Sequence, residues 1–220
     1  MGGNQSNRAE VIGYKDGYVE FEDQLYAEGT FRRVYRGRFH GDVVVKVYKE
    51  PYSLYLEEYA WKADDRVFKQ TEEMVQKFND KYINTSKPIE FVRPEFAQIR
   101  SSSNIPKNAI VVVERYLEGD FVKFSNNTGY VRPGAEITPA AFSHFTYDVT
   151  NGEILVCDLQ GVNNGTRYTF TDPAIHSAGK EMHLYGPSDL GKIGRCPALP
   201  PRLEVELCLV SFQRLLRLNG

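Results

Sequence analysis

The sequence predicts an α+β fold built as two lobes around a cleft, and three observations predict it. From Tyr18 to Tyr48 the chain alternates in the two-residue rhythm of strands, with Gly29, Gly37 and Gly41 as turn punctuation. From Ser53 to Tyr82 the period changes to that of a helix. Further strands follow, then one helix, then a strand leading into a mixed remainder. Strands gathered early and helices interspersed later suit a strand-rich lobe and a mixed one.

Each element has its local reason. Residues 1–10 are polar and read as a loose, disordered N-terminus. "YVEFE", "FRRVYRGRF" and "DVVVKVY" read as successive strands. In the helical stretch Val67, Thr71, Met74, Val75, Phe78 and Tyr82 fall on one face, with charges between them. "IEFVRPEFAQI" and "AIVVVERYL" read as strands. Thr138-Pro139 reads as a helix start, a cap followed by a first-turn proline. That helix carries Ala140, Phe142, His144 and Phe145 and breaks at Asn151-Gly152, where the strand "EILVCDL" begins.

Bulk properties narrow the function classes. With 29 acidic and 27 basic residues the formal charge is −2, and no basic stripe stands out, so nucleic-acid binding is not expected. No apolar run reaches 18 residues and no signal-peptide core is seen, so a cytoplasmic protein with free thiols is expected. Its three cysteines, Cys157, Cys196 and Cys208, cannot all pair internally. The opening "MGGNQS" fits a myristoylation pattern at Gly2, with Ser6 in place. No polybasic cluster follows, so a single acyl chain there would give only weak, reversible membrane contact and a peripheral location.

Several residues could carry chemistry. Lys46 sits among valines in a strand; local alternation favours an exposed edge lysine, and the alternative is a cation holding phosphate oxygens. Upstream, "EGTFRRVY" offers a Gly29-Thr30 turn with Arg32 and Arg33, which together with Lys46 suits an anion. Asp158 ends an apolar strand, Gln160 follows two residues later, on the same face where the extended geometry persists, and Asp172 stands before Pro173 after a polar loop. Two carboxylates and an amide suit a hard cation such as Mg²⁺, whereas each acid taken singly is a turn former. Gly186, Gly191 and Gly194 in "YGPSDLGKIG" are turn glycines or a flexible backbone surface for a ligand or peptide. His144 is a lone helical histidine, and His40, His176 and His183 show no ligand spacing. Cys196 and Cys208 are too far apart for a C-x₂₋₄-C pair.

Six blocks in order, from about Tyr26 to Gly194, resemble the alpha-kinases, the atypical protein kinases that include the myosin heavy chain kinases and channel-linked kinases. They are "EGTFRRVYRGRF", "VVVKVYKE", "VERYLEGDFVKFSNNTGYV", "FSHFTYDVTNGEILVCDLQGV", "YTFTDPAIHS" and "YGPSDLGKIG". The resemblance implies a kinase-like fold with ATP in the cleft, and transfer of the γ-phosphoryl of MgATP to Ser or Thr of a protein substrate. It implies an alpha-kinase domain over 11–195, with an N-lobe of about 11–117 and a C-lobe of about 118–195. By motif, Lys46 and Arg32 match the phosphate contacts. Glu114, Tyr116 and Leu117 match the hinge that holds adenine. Asp158, Gln160 and Asp172 match the catalytic and metal-binding trio, with Gln160 and Asp172 as Mg²⁺ holders and the base one of the two aspartates. Gly186, Gly191 and Gly194 match the loop that receives the protein substrate. His144 matches a structural-zinc histidine, but residues 196–220 carry no His and no C-x₃-C, so zinc is not expected here. That divergent tail can instead form a short amphipathic helix through Leu207, Val210, Leu215 and Leu218. The competing expectation is a non-catalytic nucleotide-binding or interaction domain; every matched ATP and catalytic position is retained, which favours the kinase.

Overall fold

The computed structural model describes residues 7–12, 16–50, 60–134, 136–179 and 184–191. Gly2, Gly194, Cys196, Cys208 and the expected tail helix lie outside the described residues. Contacts divide the chain into two compact units. The first holds the described residues up to Asp65 together with Val92–Tyr116; the second holds Arg66–Phe91 and those from Leu117 onward.

Six antiparallel strands close the first unit into a barrel. They are β1 (Asn7–Ile12), β2 (Tyr18–Glu28), β3 (Arg32–Arg38), β4 (Asp42–Tyr48), β6 (Glu95–Ser101) and β7 (Ile110–Arg115), ordered β1-β2-β3-β4-β7-β6 with β6 returning to β1. Alternate residues fill the interior, among them Ala9, Val11, Val19, Phe21, Val43, Val45, Ala97, Ile99, Val111 and Val113. Closure leaves no open sheet edge, so every strand finds two neighbours.

Two sequence expectations are corrected here. Residues 7–10 are not loose: they belong to β1, where Ala9 is fully buried and both edges are paired, to β2 and to β6. Three polar residues around one alanine hide a strand whose register is set by its neighbours. Gly37 is not a turn but sits inside β3, opposite Phe21. A Cβ at Gly37 would lie 2.7 Å from the Glu20 carbonyl oxygen and 2.9 Å from the Phe21 Cβ, so only glycine lets β2 and β3 approach there.

The second unit contains most of α1 (Ala60–Lys81), whose residues to Asp65 group with the first. Val67, Thr71, Met74, Val75 and Phe78 are buried on one face, as the helical period requires. The stretch read as one strand over 89–99 splits into β5 (Ile89–Phe91) and β6, which join different sheets. Pro94 lies at the break; it lacks the N–H that a continuous ladder needs. The contiguous N-lobe expected over 11–117 is interrupted accordingly, because 66–91 pack with the second unit. There β5, β11 (Tyr168–Thr171), β10 (Gln160–Asn163) and β8 (Val122–Lys123) form a sheet, and β9 (Ile154–Cys157) pairs with β12 (Ala174–Ser177).

Helix α2 (Ile137–Val149) packs Phe142 and Phe145 onto Phe78 of α1, edge-on at 5.4 Å in both cases. Such pairs contribute about 0.5–1.5 kcal/mol each beyond simple burial. The helix starts one residue before the expected cap: Glu136 is the N-cap and Thr138 lies buried in the first turn. Pro139 still falls where its missing N–H breaks no helical bond. Glu136 does not cap with its side chain, because its carboxylate instead accepts from Lys87, Asn163 and the Tyr168 hydroxyl. These donors hold the Glu136 carboxyl below its ordinary range, with the Tyr168 hydrogen bond the largest influence. At the other end Asn151 and Gly152 adopt positive φ, and the Gly152 N–H returns to the Tyr147 carbonyl at 2.7 Å. No described helix is long and apolar enough to cross a membrane.

Candidate catalytic site

In the first unit, period two decides where Lys46 points. Val43, Val45, Val111 and Val113 face the barrel core, so Lys46 and Glu114 share the opposite face of β4 and β7. Lys46 pairs with Val112, and Glu114 with Val44, which makes Lys46 and Glu114 diagonal neighbours. Their charges meet at 2.8 Å, with Lys46 4% and Glu114 5% exposed. The parity read from sequence is right, but this face is not solvent, so the exposed edge lysine is ruled out. A lysine this deeply buried needs such an acid partner to offset its desolvation.

Arg32 is organised by a second acid. Its guanidinium donates to Asp64 at 2.5 Å and to the Tyr48 hydroxyl at 2.6 Å, and it stacks 4.4 Å from the Tyr48 ring centre. Tyr48 in turn donates to Asp64 at 3.0 Å, and burial raises its phenol pKa. A guanidinium is planar, so these contacts fix the plane of Arg32. The Gly29 amide closes the turn by donating to the Arg32 carbonyl at 2.9 Å, so it is not offered to a ligand. Arg33 is exposed, 3.6 Å from Glu28. Tyr116 is half-buried, and its amide donates to the Asp42 carbonyl at 2.9 Å; Leu117 is half-buried as the first residue of the second unit.

Two strand registers assemble the acids of the second unit. Cys157 at the end of β9 faces Ala174 at the start of β12, which brings Asp158 beside the Asp172-Pro173 step. Gln160 faces Thr171 across β10 and β11, which sets Gln160 beside Asp172. The segment read as a polar loop between the acids is thus a hairpin, turned over Asn164–Arg167 by the Asn164 carboxamide accepting from the Thr166 and Arg167 amides. Gly161 allows it: a Cβ there would lie 2.1 Å from the Thr169 carbonyl oxygen. That glycine, one residue past Gln160, was a signal in the sequence for the close approach.

Asp158 and Asp172 both hold positive φ, 58° and 49°. Aspartate tolerates this left-handed region better than most residues, and such strain concentrates at functional sites. Burial pushes the Asp158 carboxyl up from its usual range; Lys123 opposes this, and the nearby Asp172 charge adds to it. Lys123, on β8 opposite Gln160, places its ammonium 2.7 Å from Asp158. Sequence reading missed Lys123 because nothing in "FVKFS" marks it; only the β8–β10 register aims it. Among the described residues no three His, Cys, Asp or Glu side chains converge. Two carboxylates and an amide nonetheless fit Mg²⁺, which takes one or two carboxylates and lets phosphate and water complete its shell.

The glycine loop is held to β12. Gly186 and Gly191 adopt positive φ, 87° and 58°. Between them Asp189, 2% exposed, accepts from the Ser177 amide and hydroxyl and from the Gly191 amide at 2.8–3.0 Å. Asp189 escaped the sequence reading, and His176 was set aside there for want of ligand spacing.

His144 is buried on α2, where desolvation lowers its pKa. It lines a small cavity with Cys157, Ser143, Phe124 and Glu136. Cys157 is a buried free thiol whose pKa is raised by burial. One imidazole and one protonated thiol do not amount to a four-ligand zinc site. We expect the purified 220-residue chain to carry less than about 0.1 zinc per chain by elemental analysis, and its melting temperature to be unmoved by a chelator. One zinc per chain, lost with a drop in melting temperature, would overturn this.

Residues 27–195 match the alpha-kinase family. Myosin heavy chain kinase B of Dictyostelium discoideum is 34% identical over 173 residues, 72% of this chain and 21% of that protein. Myosin heavy chain kinase C of the same organism is 37% identical over 119 residues, 54% of this chain and 14% of that one. The chain thus spans about a fifth or less of the length of these relatives. Among solved structures, the alpha-kinase domain of myosin-II heavy chain kinase A in complex with AMP-PNP aligns over 90% of this chain and 91% of that one, with a TM-score of 0.72 at 23% identity. At that identity the likeness shows the fold, a two-lobed α+β kinase-like architecture whose first lobe is the closed barrel.

Proposed function

The chain belongs to the alpha-kinase family, and from that premise we propose that it transfers the γ-phosphoryl group of ATP to Ser or Thr of a protein substrate. The observation that carries the reading is the register-built trio of Asp158, Gln160 and Asp172. Phosphoryl transfer asks a protein chiefly for positioning and charge stabilisation. In this reading Lys46, oriented by Glu114, and Arg32, oriented by Asp64 and Tyr48, meet the phosphate oxygens. Glu114 with the backbone of Tyr116 and Leu117 forms the hinge for adenine. Gln160 and Asp172 would hold Mg²⁺, which would neutralise charge on the phosphates. Asp158 accepts the proton of the attacking hydroxyl; its raised pKa and its ion pair with Lys123 suit a base rather than a permanent metal ligand. The loop containing Gly186 and Gly191, continuing to Gly194, receives the protein substrate.

Transfer of label from γ-labelled ATP to a basic model protein tests the reading. We expect incorporation that depends on Mg²⁺, with Gln160→Ala raising the Mg²⁺ concentration for half-maximal rate by roughly tenfold, about 1.4 kcal/mol. Retention of the wild-type Mg²⁺ titration would remove Gln160 from the metal. No transfer by the wild-type chain, with nucleotide still bound, would favour the non-catalytic alternative.

A further inference from the structure

Strand β12 begins two residues after Asp172, and its last two residues hold the glycine loop. His176 is fully buried and bridges two loops. The Leu190 amide donates to its Nδ1 at 3.2 Å, so the proton of the neutral ring resides on Nε2, which donates to the Asn127 carbonyl at 2.8 Å. Ser177, the next residue, gives its amide and hydroxyl to Asp189. Two consecutive strand residues therefore clasp Asp189, Leu190 and Gly191 to β12, at the positions that pair with Leu155 and Ile154 of β9.

We infer that His176 and Asp189 are positioning residues for the protein substrate: they lock the glycine loop in register with the catalytic acids. The inference rests on the kinase reading above. Its physical content is that β12 is a short rigid link. The strand is buried along its whole length and paired with β9, the strand that ends one residue before Asp158. A loop anchored to β12 inherits the position of both acids, so a hydroxyl resting on that loop is presented at a fixed distance from them. Without the clasp, Gly186 and Gly191 would leave the backbone free to sample other conformations. The cost would then fall on substrate placement rather than on ATP binding, because no residue of the clasp is among the proposed nucleotide contacts.

Two isosteric replacements separate this from a general structural role. In His176→Asn the amide oxygen occupies the Nδ1 position and still accepts from Leu190, while the bond to Asn127 is lost. In His176→Gln the amide nitrogen reaches the Nε2 position and still donates to Asn127, while the bond to Leu190 is lost. Steady-state kinetics with a basic model protein should show KM for the protein raised about tenfold in His176→Gln, the scale of one lost buried hydrogen bond, with KM for ATP unchanged. His176→Asn should stay within about threefold of wild type in both constants, a shift well below one hydrogen bond. Hydrogen exchange read in parallel should show the Leu190 amide protected in wild type and His176→Asn and unprotected in His176→Gln. An active wild type whose protein KM is unmoved by His176→Gln, or equal losses in both variants, overturns the inference while leaving the kinase reading intact. A wild-type chain that phosphorylates nothing overturns the reading and the inference with it.

Discussion

Lys46→Met is expected to abolish phosphoryl transfer and also to destabilise the first unit. The double variant Lys46→Met/Glu114→Gln should recover the stability without the activity. Both effects follow from one ion pair. The lysine and glutamate are almost completely buried on the outer face of β4 and β7, 2.8 Å apart. Removing one partner of a buried pair typically costs about 3–5 kcal/mol, because the remaining charge keeps its desolvation penalty and loses its compensation. Replacing both with groups of similar size is often neutral. The single variant thus mixes lost chemistry with partial unfolding, and the double variant separates them. Thermal melts and label-transfer assays on the three proteins provide the test. A double variant that folds well and transfers phosphate at more than about a tenth of the wild-type rate, a barrier change under 1.4 kcal/mol, would exclude Lys46 from the reaction.

This pair also shows how far the sequence could be read. Alternation placed Lys46 on the face opposite Val43 and Val45, and the structure agrees. Whether that face meets water or protein is a tertiary fact that no local period contains. The same limit explains β1, whose polar residues become a strand only because β2 and β6 flank it. It also explains the hairpin at Asn163–Tyr168, where "NNGTR" looked like loop and is in fact a tight Asx-stabilised turn. What was legible was whatever one element decides for itself: the buried face of α1, the break at Asn151-Gly152, and the apolar run into Asp158. The trio was legible as a list of residues with suitable chemistry. Its convergence came from cross-strand registers, Cys157 with Ala174 and Gln160 with Thr171, which pair segments up to 17 positions apart. Lys123, Asp64, His176 and Asp189 reach the two groups of site residues through contacts of that kind, and each looked ordinary in isolation.

The second large effect is expected at Asp158, where activity and stability should move in opposite directions. Asp158→Asn should lower kcat by about 10²–10⁴, the usual contribution of a positioned general base. The melting temperature should stay level or rise at neutral pH. The reason lies in the direction of the pKa shift. Burial raises the Asp158 carboxyl above its ordinary value, against the pull of Lys123. A raised carboxyl binds its proton more tightly folded than unfolded, so stability falls as pH climbs from the ordinary carboxylate value through the raised one. Above that window the charged, half-desolvated Asp158 is a standing cost, which the neutral amide removes. What the amide forfeits, an ion pair to a lysine whose side chain is 47% exposed, is worth only about 0–1 kcal/mol. Backbone strain favours asparagine as the probe, since it tolerates the 58° φ that alanine would not, and Asp158→Ala should melt lower than Asp158→Asn for that reason alone. In the wild type, kcat/KM should rise with pH along an acid limb displaced above the ordinary carboxylate range. That limb carries the influence of Asp172 as well, because its charge raises the proton affinity of Asp158. In Asp158→Asn the residual activity should lose this displaced limb. A variant that keeps both the limb and more than about a tenth of kcat would transfer the base role away from Asp158 and leave Asp172 as the candidate.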